Sequence, residues 1–130
     1  MLKKEFLNPH PMGFTNTVVC SNNGTKTIFV SGQVGYAEGR VGASFEEQAQ
    51  IAYANLVKEL ACAGASVHDV VKLTTYVVGL DRDKSKANRK AKDHYFTQNN
   101  QPASTMLGVS SLVMPELLIE VEATAMMNEH

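Results

Sequence analysis

Two carboxylates carry the clearest chemical potential in this chain. Glu120 and Glu122 stand two residues apart in Ile119-Glu120-Val121-Glu122-Ala123. Side chains alternate between faces along an extended strand, so both acids share one face, with Cα atoms about 6.5–7 Å apart. A carboxyl group held near an apolar wall is desolvated; its pKa rises and it becomes able to act as an acid or base near neutrality. The alternative is a solvated or interface-lining pair. Ser31-Gly32-Gln33 also invites a functional reading: the glycine either serves strand-end geometry or lets a backbone amide approach a ligand oxygen. The run is too short for a phosphate loop.

Other reactive residues are dispersed. Six of the 12 basic residues (Arg82, Lys84, Lys86, Arg89, Lys90 and Lys92) fall within eleven positions, partly offset by Asp81, Asp83 and Asp93. Such a run forms either a solvated helix face or an RNA-contacting patch, because phosphate contacts need clustered Lys and Arg. His10, His68, His94 and His130 show no pairing; His10 lies in Pro9-His10-Pro11, read as a loop. Neither a two-histidine ribonuclease site nor a Ser-His-Asp or Cys-His arrangement is signalled. Cys20 and Cys62 have no CxxC or ligand spacing and are expected as buried free thiols, with no metal and no cofactor.

The whole chain constrains what can position these groups. Its 130 residues suit one domain spanning 1–130, and 44% hydrophobic with 19% charged residues excludes disorder. A net charge of −1 excludes a general polyanion binder. With four Tyr, five Phe and no Trp, a deep private pocket is improbable, so any site should be shallow or completed by a second chain. Phe6-Leu7 is followed at once by Asn8-Pro9, so no signal peptide is read; no membrane association and a cytoplasmic location are expected.

Strands are predicted at residues 15–20 and 27–31, flanking the hairpin signal Asn23-Gly24, with a third short strand after Gly32. Ser44-Phe45-Glu46-Glu47 is a capping box that opens a helix carrying Ala49, Ala52, Tyr53, Leu56, Leu60 and Ala63 at helical spacing, with Gly64 as its stop. Val70–Val78 is a strand, with Val71, Leu73, Thr75 and Val77 on one face and Val70, Lys72, Thr74, Tyr76 and Val78 on the other. Both faces are mostly apolar, so helices can cover one and a partner subunit is expected on the second. A helix over 81–97 and strands over 104–109 and 117–126 complete an α+β domain with both helices on one sheet face.

Several runs, taken in order, resemble the RidA family, also called YjgF or endoribonuclease L-PSP. They are Phe29-Val30-Ser31-Gly32-Gln33-Val34-Gly35, Gln48 with Ala54-Asn55-Leu56, Ala63-Gly64-Ala65-Ser66, Asp69-Val70-Val71-Lys72, Thr75-Tyr76-Val77, Leu80-Asp81, Pro102-Ala103 and 117–125. The resemblance covers residues 13–126. It implies a chorismate-mutase-like fold with a mixed sheet, a homotrimer packed through the sheet face opposite the helices, and small-molecule ligands in inter-subunit clefts. It also implies metal- and cofactor-independent hydrolysis of reactive imines and enamines to a keto acid and ammonia, with Glu120 positioning the attacking water and the Gly32 amide meeting the ligand. Glu122 reads as structural.

The resemblance includes departures. The family's hallmark Pro-Ala-Arg-[Ser/Thr], whose guanidinium holds the substrate carboxylate, is Pro102-Ala103-Ser104-Thr105 here. A guanidinium fork supplies two charge-assisted bonds of roughly 1.5–3 kcal/mol each, so its loss costs on the order of a hundredfold or more in carboxylate affinity. Ser104 and Thr105 are left to hold the ligand. Phe14 stands for a tyrosine and Met106 for a cysteine, making the site more apolar. Either the substrate is a less acidic imine, enamine or carbonyl compound, or the anion anchor has moved; by spacing back from Phe96, Arg89 falls where active relatives place a ligand-facing asparagine. The competing functions are RNA cleavage or translation inhibition through the 82–92 segment, and non-enzymatic ligand sensing in the same cleft.

Overall fold

The computed structural model describes residues 1–97, 99 and 101–129. Strands β1 (Lys3–His10), β2 (Phe14–Asn22), β3 (Thr25–Val34), β6 (Val70–Val78), β7 (Ala103–Val109) and β8 (Ile119–Asn128) form one sheet in the order β1-β2-β3-β8-β6-β7. Every neighbouring pair is antiparallel except β6 with β7, which are parallel and joined through α2 (Arg82–Asp93). A small hairpin, β4 (Tyr36–Ala37) with β5 (Arg40–Val41), precedes α1 (Phe45–Cys62). The mixed sheet carries both helices on one face, the predicted α+β arrangement.

Local signals explain α1. Ser44 accepts the Glu47 N–H at 3.1 Å, and Glu46 and Glu47 lie at the positive end of the helix dipole. At the far end Lys26 Nζ donates to the Ala63 carbonyl at 2.6 Å, and Gly64 takes φ +79°. Ala49, Ala52, Tyr53, Leu56 and Leu60 are fully buried against Ile28, Leu73, Val121 and Ala125. Each large side chain there contributes roughly 1.5–3 kcal/mol by leaving water. Tyr53, the largest of them, keeps its hydroxyl satisfied by donating to Asn88 Oδ1 at 2.6 Å, and burial pushes its pKa up to about 12.

The alternation predicted for the last strand holds from Ile119: Ile119, Val121, Ala123 and Ala125 all join the core under the helices, whereas the strand begins two residues later than expected and Leu117, though buried, precedes it outside that core. That for Val70–Val78 holds only from Lys72 onward. A bulge between Val70 and Lys72 places Val70 in the core opposite Ala125 and turns Val71 out to 44% exposure, reversing their expected faces. The second helix runs from Arg82, capped by Asp81, and ends at Asp93 rather than Thr97. His10 ends a strand instead of sitting in a loop: β1 is an exposed edge strand, where Pro9 needs no ladder donor. Cys20 is half-buried and Cys62 exposed, against the expectation of two buried thiols, because Cys62 falls off the stripe marked by Leu56, Leu60 and Ala63.

The sheet face away from the helices is uncovered. Phe29, Leu107 and Met126 are exposed there, beside half-buried Val18 and Tyr76. Among the described residues no helix is long and apolar enough to cross a membrane.

Candidate functional site

Glu120 sits on that open face, opposite Val34 of β3 and Tyr76 of β6. Its position depends on a second bulge. Between Val30 and Gln33 the β3 register shifts, and Gly32 lies at the shift. The carboxyl group lies directly over Gly32: a Cβ there would stand 2.7 Å from Glu120 Cγ and 2.5 Å from Cδ. Around them is a cleft of about 600 Å³, lined by His10, Met12, Phe14, Tyr36, Met114 and Glu120, among others. No Lys or Arg lines it, and no ion pair among the described residues includes Glu120. Burial, and secondarily the charge of Glu122, raise the Glu120 pKa above the usual carboxylate value. Glu122 accepts the Tyr76 hydroxyl at 2.6 Å, which raises the Tyr76 pKa and gives Glu122 the structural part expected of it.

The cleft's walls are held from α1. Buried Gln48 donates through Nε2 to the carbonyls of Gly42, at 3.2 Å, and Glu116, at 3.0 Å, and accepts the Leu118 N–H at 2.8 Å. It thereby fixes the 110–118 segment that brings Val113, Met114 and Leu117 to the cleft. Asn55 Nδ2 donates to the carbonyls of Val34 and Tyr36. At the rim His10 stacks on Phe14, ring centroids 4.6 Å apart and planes 9° from parallel.

Ser104 and Arg89 share a different cleft, of about 310 Å³, between α2 and β7. Register pairs Ser104 with core-facing Leu73, so Ser104 points to the helix side. Ser85, Asn88, Arg89, Lys92, Asp93, Gln101 and Met106 line the same cleft. Thr105 does not join them. Strand alternation places it with Thr74 on the open face, where it accepts Lys72 Nζ at 2.7 Å.

The predicted residues, Thr105 apart, therefore divide between two clefts. Phe14, Gly32 and Glu120 occupy one, Arg89 and Ser104 the other, on opposite faces of a single sheet. His10, which stacks on the predicted Phe14, and Met12, Tyr36 and Asn88 were not among the residues expected at the site. Asn88 adjoins Arg89 in sequence, but its burial and its bond from Tyr53 depend on tertiary packing. Among the described residues no group of three or more His, Cys, Asp or Glu could hold a metal.

The fold matches known proteins. Residues 8–127 match the family model for endoribonuclease L-PSP. YyfB of Yersinia pestis, from the Rid protein family, is 34% identical with a TM-score of 0.71, the match covering 95% of this chain and 98% of that one. A YjgF-family protein of Neisseria meningitidis is 22% identical with a TM-score of 0.79, over 98% and 96% of the two chains. E. coli TdcF, crystallised with bound serine, is 22% identical with a TM-score of 0.77, over 92% and 93%. No curated protein sequence matches. With 8–127 of its 130 residues accounted for by one family model and its fold reproduced in these structures, the chain belongs to the endoribonuclease L-PSP family, the YjgF/RidA proteins.

Proposed function

We propose that this protein binds a small imine or enamine in clefts between the subunits of a homotrimer and hydrolyses its C=N bond without metal or cofactor. The observation that carries the reading is Glu120: a half-buried carboxyl group with a raised pKa, seated on Gly32 at an apolar cleft and free of any cationic partner among the described residues. Such a group can take a proton from water as its oxygen bonds to the imine carbon, and return a proton to nitrogen. The carbinolamine then collapses, the C–N bond breaks, and carbonyl product and ammonia leave. The split between half-sites supports assembly. Glu120 and Ser104 lie on opposite sheet faces, so a second copy must present one to the other, and an uncovered face bearing Phe29, Leu107 and Met126 is available for it. Bound serine in TdcF is consistent with ligands of amino-acid size.

The test is ammonia release from 2-aminoacrylate generated in situ by a serine or threonine dehydratase. The protein should accelerate it, and Glu120→Gln should abolish the acceleration. No acceleration at micromolar protein defeats the hydrolase reading. Solution mass should be three times the 14.2 kDa chain. Ligand binding without turnover would instead favour a sensor. A second reading, RNA binding, is favoured by the six basic residues of 82–92, all on α2. It requires salt-sensitive RNA affinity that falls when Lys86, Arg89 and Lys90 are neutralised.

A further inference from the structure

We propose that Arg89, backed by Lys92, is the anion anchor of this chain, replacing the guanidinium absent at Ser104, so that its ligand keeps an acidic group. The inference rests on the inter-subunit cleft proposed above and names which ligands that cleft accepts. On α2, Ser85, Asn88, Arg89 and Lys92 recur at i, i+3, i+4 and i+7, which puts them on one helix face, turned toward β7. All four line the Ser104 cleft.

Both cations there are available. Among the described residues Arg89 pairs with Asp93 alone, through Nε, at 3.7 Å, with the two side chains 77% and 43% exposed; this weak pair does not engage the terminal guanidinium nitrogens. Half-buried Lys92 has no ion pair among the described residues. Asn88 is 4% exposed, its Oδ1 is taken by the Tyr53 hydroxyl, and its Nδ2 has no acceptor among the described residues, leaving one oriented neutral donor beside the cations. The cleft thus gathers two positive charges against the single carboxylate of Asp93, with neutral donors from Asn88, Ser85 and Ser104. The other half-site has the opposite character, an unpaired acid among apolar walls. A ligand spanning both would seat its carboxylate at Arg89 and direct its C=N toward Glu120.

Binding of 2-oxobutanoate and of its uncharged counterpart 2-oxobutanamide to the full-length protein separates the outcomes. The wild-type protein should prefer the acid. Arg89→Ala should weaken the acid by roughly tenfold to a hundredfold and leave the amide unchanged, as expected for one lost charge-assisted contact. Arg89→Lys, keeping charge without the fork, should fall between. Adding Ser104→Arg to Arg89→Ala should restore the acid preference. Arg89 is exposed, so unchanged melting of each variant will show that folding is intact. An unaltered acid-to-amide ratio in Arg89→Ala overturns the anchor while the cleft stands; binding of neither probe by the wild-type protein overturns both.

Discussion

Replacing Gly32 with alanine would separate positioning from folding at this site. Gly32 is not among the positive-φ residues, so the backbone accepts alanine and only contact decides the outcome. The added Cβ would meet Glu120 Cγ at 2.7 Å and Cδ at 2.5 Å, whereas non-bonded carbons rest at about 3.5–4.0 Å. The carboxyl group must therefore retreat by about 1 Å. The obstructing atoms end a flexible, half-buried side chain, so the stability loss should stay below about 1 kcal/mol, the low end for overpacking. The loss of function should be far larger, since a misplacement of about 1 Å can cost on the order of a hundredfold. Three measurements check this: ammonia release in the dehydratase-coupled assay, thermal melting, and the Glu120 titration followed by NMR. Activity should fall about a hundredfold while the melting temperature drops by less than about 5 °C. The Glu120 pKa should return toward the ordinary carboxylate value as the group moves into solvent. In a Glu120→Ala background Gly32→Ala should cost nothing further. Full activity with an unmoved Glu120 titration, or additive losses in the double variant, would refute the claim that Gly32 exists to seat Glu120.

Gly35→Ala should be the more damaging glycine substitution for folding, because its Cβ would lie 2.7 Å from Gln48 Cα, a backbone atom of α1 that cannot swing away; a loss of about 2–3 kcal/mol in urea unfolding is expected. Gln48→Leu strands the Leu118 N–H and the carbonyls of Gly42 and Glu116, and should cost roughly 3 kcal/mol, read as a lower urea midpoint, while weakening ligand binding by loosening the segment that carries Met114. Glu120→Gln should stabilise the protein in a pH-dependent way. The folded pKa lies above the 4.5 of the unfolded group, so the folded state holds the extra proton and wild-type stability declines as pH rises from 4.5 through the folded value. The variant's melting temperature should exceed the wild-type value above that window and match it below pH 4.5; a constant difference across pH would contradict the assignment.

Much of the fold was readable because its signals are local. Ser44 and Glu47 mark the start of α1, and Gly64 its end. Alternation from Ile119 to Ala125 assigns the core residues of β8, since a strand's two faces follow from a period of two. Bulges break that arithmetic. Val70 and Val71 exchanged faces because one extra residue entered β6 opposite β8, and nothing in two adjacent valines announces it. β1 went unread because Asn8 and Pro9 disfavour a strand, and only pairing with β2 at a sheet edge sustains one there.

The sequence by itself determined which chemistry was available: one candidate acid at Glu120, a neutral serine at 104, and a basic stretch containing Arg89. Those are properties of residue type, fixed before folding. Tertiary structure decided which of them meet. The bulge at Gly32 set the carboxyl of Glu120 against the backbone, and β7 pairing sent Ser104 and Thr105 to opposite faces. Helix α2 brought Arg89 and Lys92 beside Ser104, while the sheet kept Glu120 from them. The reason is geometric: a pleated sheet sorts neighbours in sequence onto opposite faces, and only the register between distant strands says which residues share a cleft.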